Sequence, residues 1–170
     1  MVGFSHQLLI LRSAKSRGDT WLKVQIGKRP NQASGWIDAD RVRIMPRNPW
    51  RVDVSISKRV AVISKNGRAV RHIIVAVGSD QTPTPRGLFA VYEKVPQPNP
   101  EGAYGPFILS LTGHSNVLHS FNGGDGRIAL HGQNSNSLGQ AVSYGCVRTS
   151  NEKIRWLARA LPLGTPVLIR

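Results

Sequence analysis

Cys146 is the only cysteine among 170 residues, and it sits in Ser143-Tyr144-Gly145-Cys146-Val147-Arg148, not in an apolar run. Fifteen residues upstream, His131-Gly132 follows the apolar Ile128-Ala129-Leu130. A thiol becomes an effective nucleophile when a base or an electropositive setting favours the thiolate. Imidazole, with a pKa near neutrality, is the commonest such base. Gly145 frees the backbone just before the sulfur, so amide N–H groups can turn outward and stabilise the oxyanion of an acyl transfer. The stretch from His131 to Arg148 thus offers a nucleophile, a base and oxyanion donors. Residue types alone leave an alternative open, because a lone cysteine is often a small buried hydrophobe and a lone histidine a structural one.

The segments that must position these groups read as strands. Val52, Val54 and Ile56 alternate, as do Val60 and Val62, and Asn66-Gly67 is a two-residue hairpin signal leading into a strand over 69–77. Residues 78–87 read as a turn, 88–95 and 107–111 as further strands, and 128–130 as a strand delivering His131 to its end. The proline-rich segment 97–104 reads as an exposed loop, either a lid over a cleft or an inert surface loop. Ile154, Leu157, Ala158 and Leu161 recur at helical spacing, with Thr149-x-x-Glu152 as a capping box and Pro162 and Gly164 as the stop. Residues 167–169 supply a last strand. The fold class expected is mainly β: a sandwich with one short C-terminal helix.

Ahead of this unit, residues 4–45 read as short strands: the apolar run 8–11, the alternating Trp21-Leu22-Lys23-Val24-Gln25-Ile26, then 35–37 and 41–44. Trp21 and Trp36 are read as core residues in preference to a ligand-stacking platform. The division expected is a small β module over residues 1–45, a linker over 46–50 carrying Pro46 and Pro49, and a main domain over 51–170.

His131-Gly132 followed by Ser143-x-Gly145-Cys146-x-Arg148 resembles the signature of bacterial L,D-transpeptidase catalytic domains, which remodel peptidoglycan. Val75 to Gly78, Thr82-Pro83-Thr84-Pro85-Arg86-Gly87-Leu88-Phe89, Ser120 to Gly124 and Leu163-Gly164-Thr165-Pro166-Val167 are similar to the family as well. The tryptophan-containing start resembles the small Src-homology-like barrel preceding the catalytic domain in actinobacterial-type members. The resemblance implies an acyltransferase of cell-wall organisation and cell shape that links stem-peptide diamino acids through a Cys146 thioester. It makes His131 the base, the Gly132 carbonyl its orienting partner, and the N–H groups of Cys146 and either Gly145 or Tyr144 the oxyanion donors. Arg148 either binds a substrate carboxylate or fastens the loop. Ser143 and His119 join the substrate-binding candidates, each with a structural role favoured. Tyr144 and Gln133 depart from the histidine and threonine common at these positions. The resemblance further implies acylation by carbapenem-type β-lactams. The alternatives are an L,D-carboxypeptidase or endopeptidase using water as acceptor, and a non-catalytic basic envelope-binding module.

A formal charge of +14 should attract polyanions. The charges are scattered, without a nucleic-acid module, so anionic cell-envelope polymers are the partners expected beside stem peptides, and nucleic acid is not. No Walker or dinucleotide glycine pattern implies an organic cofactor. With one cysteine, no HExxH and no CxxC, a metal site is not expected either. Such an enzyme works on the extracytoplasmic, cell-wall side. The run 7–11 is too short for a signal-peptide core, so the export signal is expected to lie outside this chain.

Overall fold

The computed structural model describes residues 7–170; the first six residues of the expected N-terminal module lie outside them. β1 (Ile10–Ser16), β2 (Asp19–Gln25) and β3 (Ser34–Asp38) form an antiparallel three-stranded sheet in that order. β2 buries Leu22 and Val24, while every residue of the edge strand β1 is exposed. The strand expected over 41–44 is absent. Asp38 accepts a hydrogen bond from the Asp40 N–H at 3.0 Å and caps a single 3₁₀ turn, Ala39–Arg41. A short acidic side chain competes here for the backbone donor that a continuing strand would need. Trp36 is 40% exposed, with the Arg12 guanidinium 5.0 Å above its ring, so it is a surface residue and not a core one.

The chain continues through β4 (Trp50–Ser55), β5 (Val60–Lys65), β6 (Arg68–Ile74), β7 (Val77–Gly78), β8 (Gly87–Pro96), β9 (Phe107–His114), β10 (Arg127–Gln133), β11 (Ala141–Ser143), β12 (Val147–Ser150), α1 (Asn151–Ala160) and β13 (Pro166–Ile169). Eight of these strands form one mixed sheet in the order β12-β10-β9-β8-β13-β4-β5-β6. The β5–β6 hairpin turns on Asn66-Gly67, both at positive φ (52° and 77°), as that dipeptide predicts. The sheet curls until it nearly closes. Just past the edge strand β6, Ala76 exchanges two backbone hydrogen bonds of 2.9 Å with Arg148 on the opposite edge strand, β12. β7 then pairs in parallel with β11.

The interior is filled by Val52, Val54, Ile63, Phe89, Leu109, Leu111, Ile128 and Leu130 from the sheet. Helix α1 covers β9, β10 and β12 and adds Ile154 and Leu157. Val52 and Val54 of β4 point to this core as period-two patterning requires, but on β5 the buried residues are Ala61 and Ile63, and the expected pair Val60 and Val62 takes the other, partly exposed face. Among the described residues no helix is long and apolar enough to cross a membrane.

The helix starts one residue later than the capping-box reading placed it. Ser150 is the N-cap and accepts from the Lys153 N–H at 3.3 Å. Thr149 is still in β12, buried, with its hydroxyl unpartnered. Removing a capping serine costs about 1 kcal/mol, whereas an unpaired buried hydroxyl contributes nothing to lose. Ser150→Ala should therefore lower the urea-unfolding free energy by about 1 kcal/mol, and Thr149→Val should leave it level or raise it.

Candidate active site

His131 lies within β10, two residues short of its end, and β10 runs parallel to β12 with His131 opposite Arg148. Cys146, in the turn just ahead of β12 and two before Arg148, comes to the same cavity as His131 although fifteen residues separate them in sequence. Cys146, His131, Arg148 and Tyr144 all border one cavity of about 240 Å³. Its other walls come from Ala103 and Tyr104 of the 97–106 loop and from Ser115, Leu118, Phe121, Asn122 and Gly126 between β9 and β10. A larger and more open hollow of about 510 Å³ lies against Trp21 and Trp36. It is lined by neither a cysteine nor a histidine, so the thiol and imidazole meet only at the smaller one.

His131 is held from two sides. His131 Nδ1 lies 2.8 Å from the Gly132 carbonyl, which can only accept, so Nδ1 carries the proton and Nε2 keeps its lone pair. The Tyr104 ring packs edge-on against the imidazole, centroids 5.2 Å apart, and Asn122 donates to the Tyr104 hydroxyl at 2.9 Å. A Cβ on Gly132 would lie 2.4 Å from Asn151 Oδ1, so the residue after the base must be glycine to pack there. The imidazole is 2% exposed, and burial lowers its pKa to about 4; the Gly132 bond opposes this shift and the Arg148 charge adds to it.

Burial likewise pushes the Cys146 thiol above its ordinary value, against a hydrogen bond from the Ala129 backbone and the nearby Arg148 charge. Thiol and imidazole are thus both neutral in the resting site. Arg148 is fixed through its backbone to Ala76, and its buried Nε has no partner. An arginine with an unused donor beside a cleft is equipped to receive a carboxylate.

The turn before the sulfur is built by Ser143. This side chain is buried, donates to the Cys146 carbonyl at 2.6 Å and accepts from the Gly145 N–H at 3.1 Å. Its own carbonyl accepts from Ser79 N–H at 2.9 Å and Thr82 Oγ1 at 3.0 Å, which ties the TP-rich turn to the loop. Ser143 does not border the cavity. The Gly145 N–H is taken, which leaves the Tyr144 and Cys146 N–H groups as the candidate oxyanion donors, with Gly145 at φ 107° allowing the turn. His119 is exposed and outside the cavity wall, so the structure brings it neither into the cleft nor into the core. Tyr144, 58% exposed, leans on Phe121 with ring centroids 5.3 Å apart and forms an aromatic lip.

Tyr104, Phe121, Asn122 and Ser115 are wall residues that the sequence reading assigned no role. The prolines around Tyr104 and the Ser120–Gly124 match marked their loops, but nothing local showed that the two loops face one cleft. The 97–106 loop is a wall secured by the Asn151 side chain, which donates to the Pro100 carbonyl at 3.1 Å. Among the described residues no three His, Cys, Asp or Glu side chains gather to hold a metal ion.

A nearly closed mixed sheet with one helix, opening on a cysteine and a histidine, is the architecture of L,D-transpeptidase catalytic domains. The chain belongs to the YkuD family, the L,D-transpeptidase catalytic domain, which it matches over residues 49–169. A Bacillus licheniformis protein carrying the L,D-transpeptidase name YkuD is 35% identical over 146 residues, covering 82% of this chain and 81% of the relative. An L,D-transpeptidase from Mycobacterium smegmatis shares the fold at TM-score 0.55 and 15% identity, over 96% of this chain and 99% of that one. The transpeptidase LdtMt1, solved in complex with imipenem, shares it at TM-score 0.53 and 19% identity, over 89% of this chain and 68% of that one. The chain's function is accordingly that of an L,D-transpeptidase in peptidoglycan cross-linking.

The depressed His131 pKa has two measurable consequences. The base form survives down to about pH 4, so the acid limb of Cys146 acylation should fall near 4 and not near 6.5. Between these values the unfolded chain binds a proton that the folded chain refuses. Folded stability should therefore fall as pH drops through that window, by about 3 kcal/mol in all. His131→Gln should flatten this part of the urea-stability profile.

Proposed function

We propose that Cys146 carries the acyl group and that His131 moves the protons. The observation supporting this most directly is the 2.8 Å contact of His131 Nδ1 with the Gly132 carbonyl, which leaves only Nε2 to act, with burial disfavouring the charged ring. Cys146 Sγ attacks the carbonyl carbon of the donor stem between the diamino acid and its terminal D-alanine, and the thiol proton passes to His131 Nε2. The tetrahedral oxyanion is met by the N–H groups of Tyr144 and Cys146. When the C–N bond breaks, His131 returns the proton to the departing amine, leaving a Cys146 thioester. The amine of a neighbouring stem then attacks, its proton goes to His131, the C–S bond breaks, and the thiol is reprotonated. Arg148, with an unused donor at the cavity, binds a carboxylate of the donor and stabilises the thiolate as it forms.

In this reading residues 51–170 are the catalytic domain, 46–50 the linker and 1–45 a small module of Src-homology-like, actinobacterial type. The protein acts on the extracytoplasmic side in cell-wall organisation and cell shape. Exposed Arg12, Lys15, Arg17, Arg41, Arg43 and Arg47 give it an affinity for anionic envelope polymers. Carbapenem-type β-lactams acylate the same sulfur, because their strained amide is an acyl donor.

Intact-mass measurement after incubation with imipenem should show one covalent adduct on wild type and none on folded Cys146→Ala. With muropeptide donors, a cross-linked dimer is expected; a trimmed tripeptide alone would make water the acceptor and the enzyme a carboxypeptidase. Arg148→Gln should raise KM for the donor roughly tenfold, in line with the loss of one charge-assisted bond worth about 1.5 kcal/mol.

A further inference from the structure

The connection between β2 and β3 reaches out of the N-terminal sheet and onto the loop that walls the cleft. Arg29 spreads its guanidinium over three backbone carbonyls of that loop. Nη1 donates to Ser115 at 2.5 Å, and Nη2 donates to Leu118 at 2.9 Å and to Asp125 at 3.0 Å. Two residues on, Asn31 brackets the end of β9. Its Nδ2 donates to the His114 carbonyl at 2.7 Å, and its Oδ1 accepts the His114 N–H at 2.8 Å.

The bound carbonyls come from both ends of the 115–126 loop, so one side chain holds the loop's two legs together. The packing admits little else. A Cβ on Gly126, at φ 73°, would lie 2.1 Å from the Leu118 carbonyl oxygen and 2.9 Å from Arg29 Nη2. A guanidinium suits the task because its donors diverge in a rigid plane, whereas an ammonium is a single point of donation. The loop so held contributes Ser115, Leu118, Phe121, Asn122 and Gly126 to the cavity wall, and Asn122 in turn reaches the Tyr104 that packs on His131.

We propose that Arg29 is a positioning residue for substrate binding. Through it the N-terminal module sets the shape of the cleft wall that receives the donor stem, and the module is a working part of the recognition site. This rests on the reading of the Cys146 cavity as the acyl-donor site. Arg29 touches none of the reacting groups, so it acts on affinity and leaves the chemical step alone.

The test uses the full chain with Arg29→Met, which keeps length but no donors, and Arg29→Lys, which keeps the charge. Hydrogen exchange should accelerate about tenfold at amides of the 115–126 loop in Arg29→Met and remain unchanged in β4 and β5. KM for a disaccharide-tetrapeptide donor should rise about tenfold, with kcat and the rate of Cys146 alkylation by iodoacetamide within twofold of wild type. Arg29→Lys should fall between. Calorimetric binding of the same donor to Cys146→Ala, with and without Arg29→Met, gives the affinity without turnover. A wild type that binds the donor but does not turn it over would refute the catalytic reading and leave this comparison to judge Arg29. Wild-type exchange in the loop, unchanged donor affinity, or a loss spread over the whole chain with kcat and alkylation falling together would each overturn the proposal.

Discussion

The paired hydrogen bonds between Ala76 and Arg148 are the constraint on which the rest depends. They join the two edges of the eight-stranded sheet, and they do so two residues past the nucleophile. A free edge offers unpaired donors and acceptors to other chains; here the edge is used internally. Because Arg148 pairs with β10 on one side and Ala76 on the other, the backbone just after Cys146 has no freedom to drift. Ser143 secures the backbone just before it, through Gly145, the Cys146 carbonyl and the turn at Thr82. The sulfur is thus suspended between two fixed points, which is the preorganisation an acyl-transfer site requires.

Burial then sets the electrostatics. The same closure that removes the sheet edge from water places His131 and Cys146 where charge is costly, and both groups shift toward their neutral forms. Arg148 lies near both, and its charge pulls both pKa values down. Its effect on the thiol favours the nucleophilic form, while its effect on the imidazole keeps the base unprotonated. One charge thereby serves two groups in complementary ways, and neither needs a resting ion pair.

The chemistry was legible in the sequence where residue types are scarce. A single cysteine in a glycine-containing polar setting, and a histidine-glycine pair after an apolar run, could be found by inspection. Asn66-Gly67 and the alternation in β4 were legible because turn geometry and period-two burial are local properties, whereas in β5, apolar on both faces, the pattern pointed to Val60 and Val62 while Ala61 and Ile63 are the buried pair. What could not be read was non-local. Arg29 looked like one more scattered surface charge, since its partners lie more than eighty residues away. His119 belongs to the loop that walls the cleft, yet it is exposed and outside the cavity wall while its neighbours Leu118 and Phe121 line it, a distinction of a residue or two that has no sequence mark. The shift of the helix cap from Thr149 to Ser150 and the loss of a strand at 41–44 are boundary effects of the same kind. Each is decided by a single side-chain hydrogen bond. Trp36 was assigned to a core that a three-stranded sheet is too small to enclose around it.

His131 and Cys146 meet through the register of β10 against β12, and the polar, mostly exposed stretch 134–140 that connects them is tied at its two ends, by Asn134 to Asn151 and by Gly139 to the Val75 carbonyl. Closing a longer flexible loop costs only about 0.6 kcal/mol per doubling. The fifteen-residue interval is therefore set by this connection and not by the strand register that aligns the two side chains. Between its two ties the connection is open to lengthening, so new specificities could be grafted here while the alignment of the two side chains passes unchanged from one variant to the next.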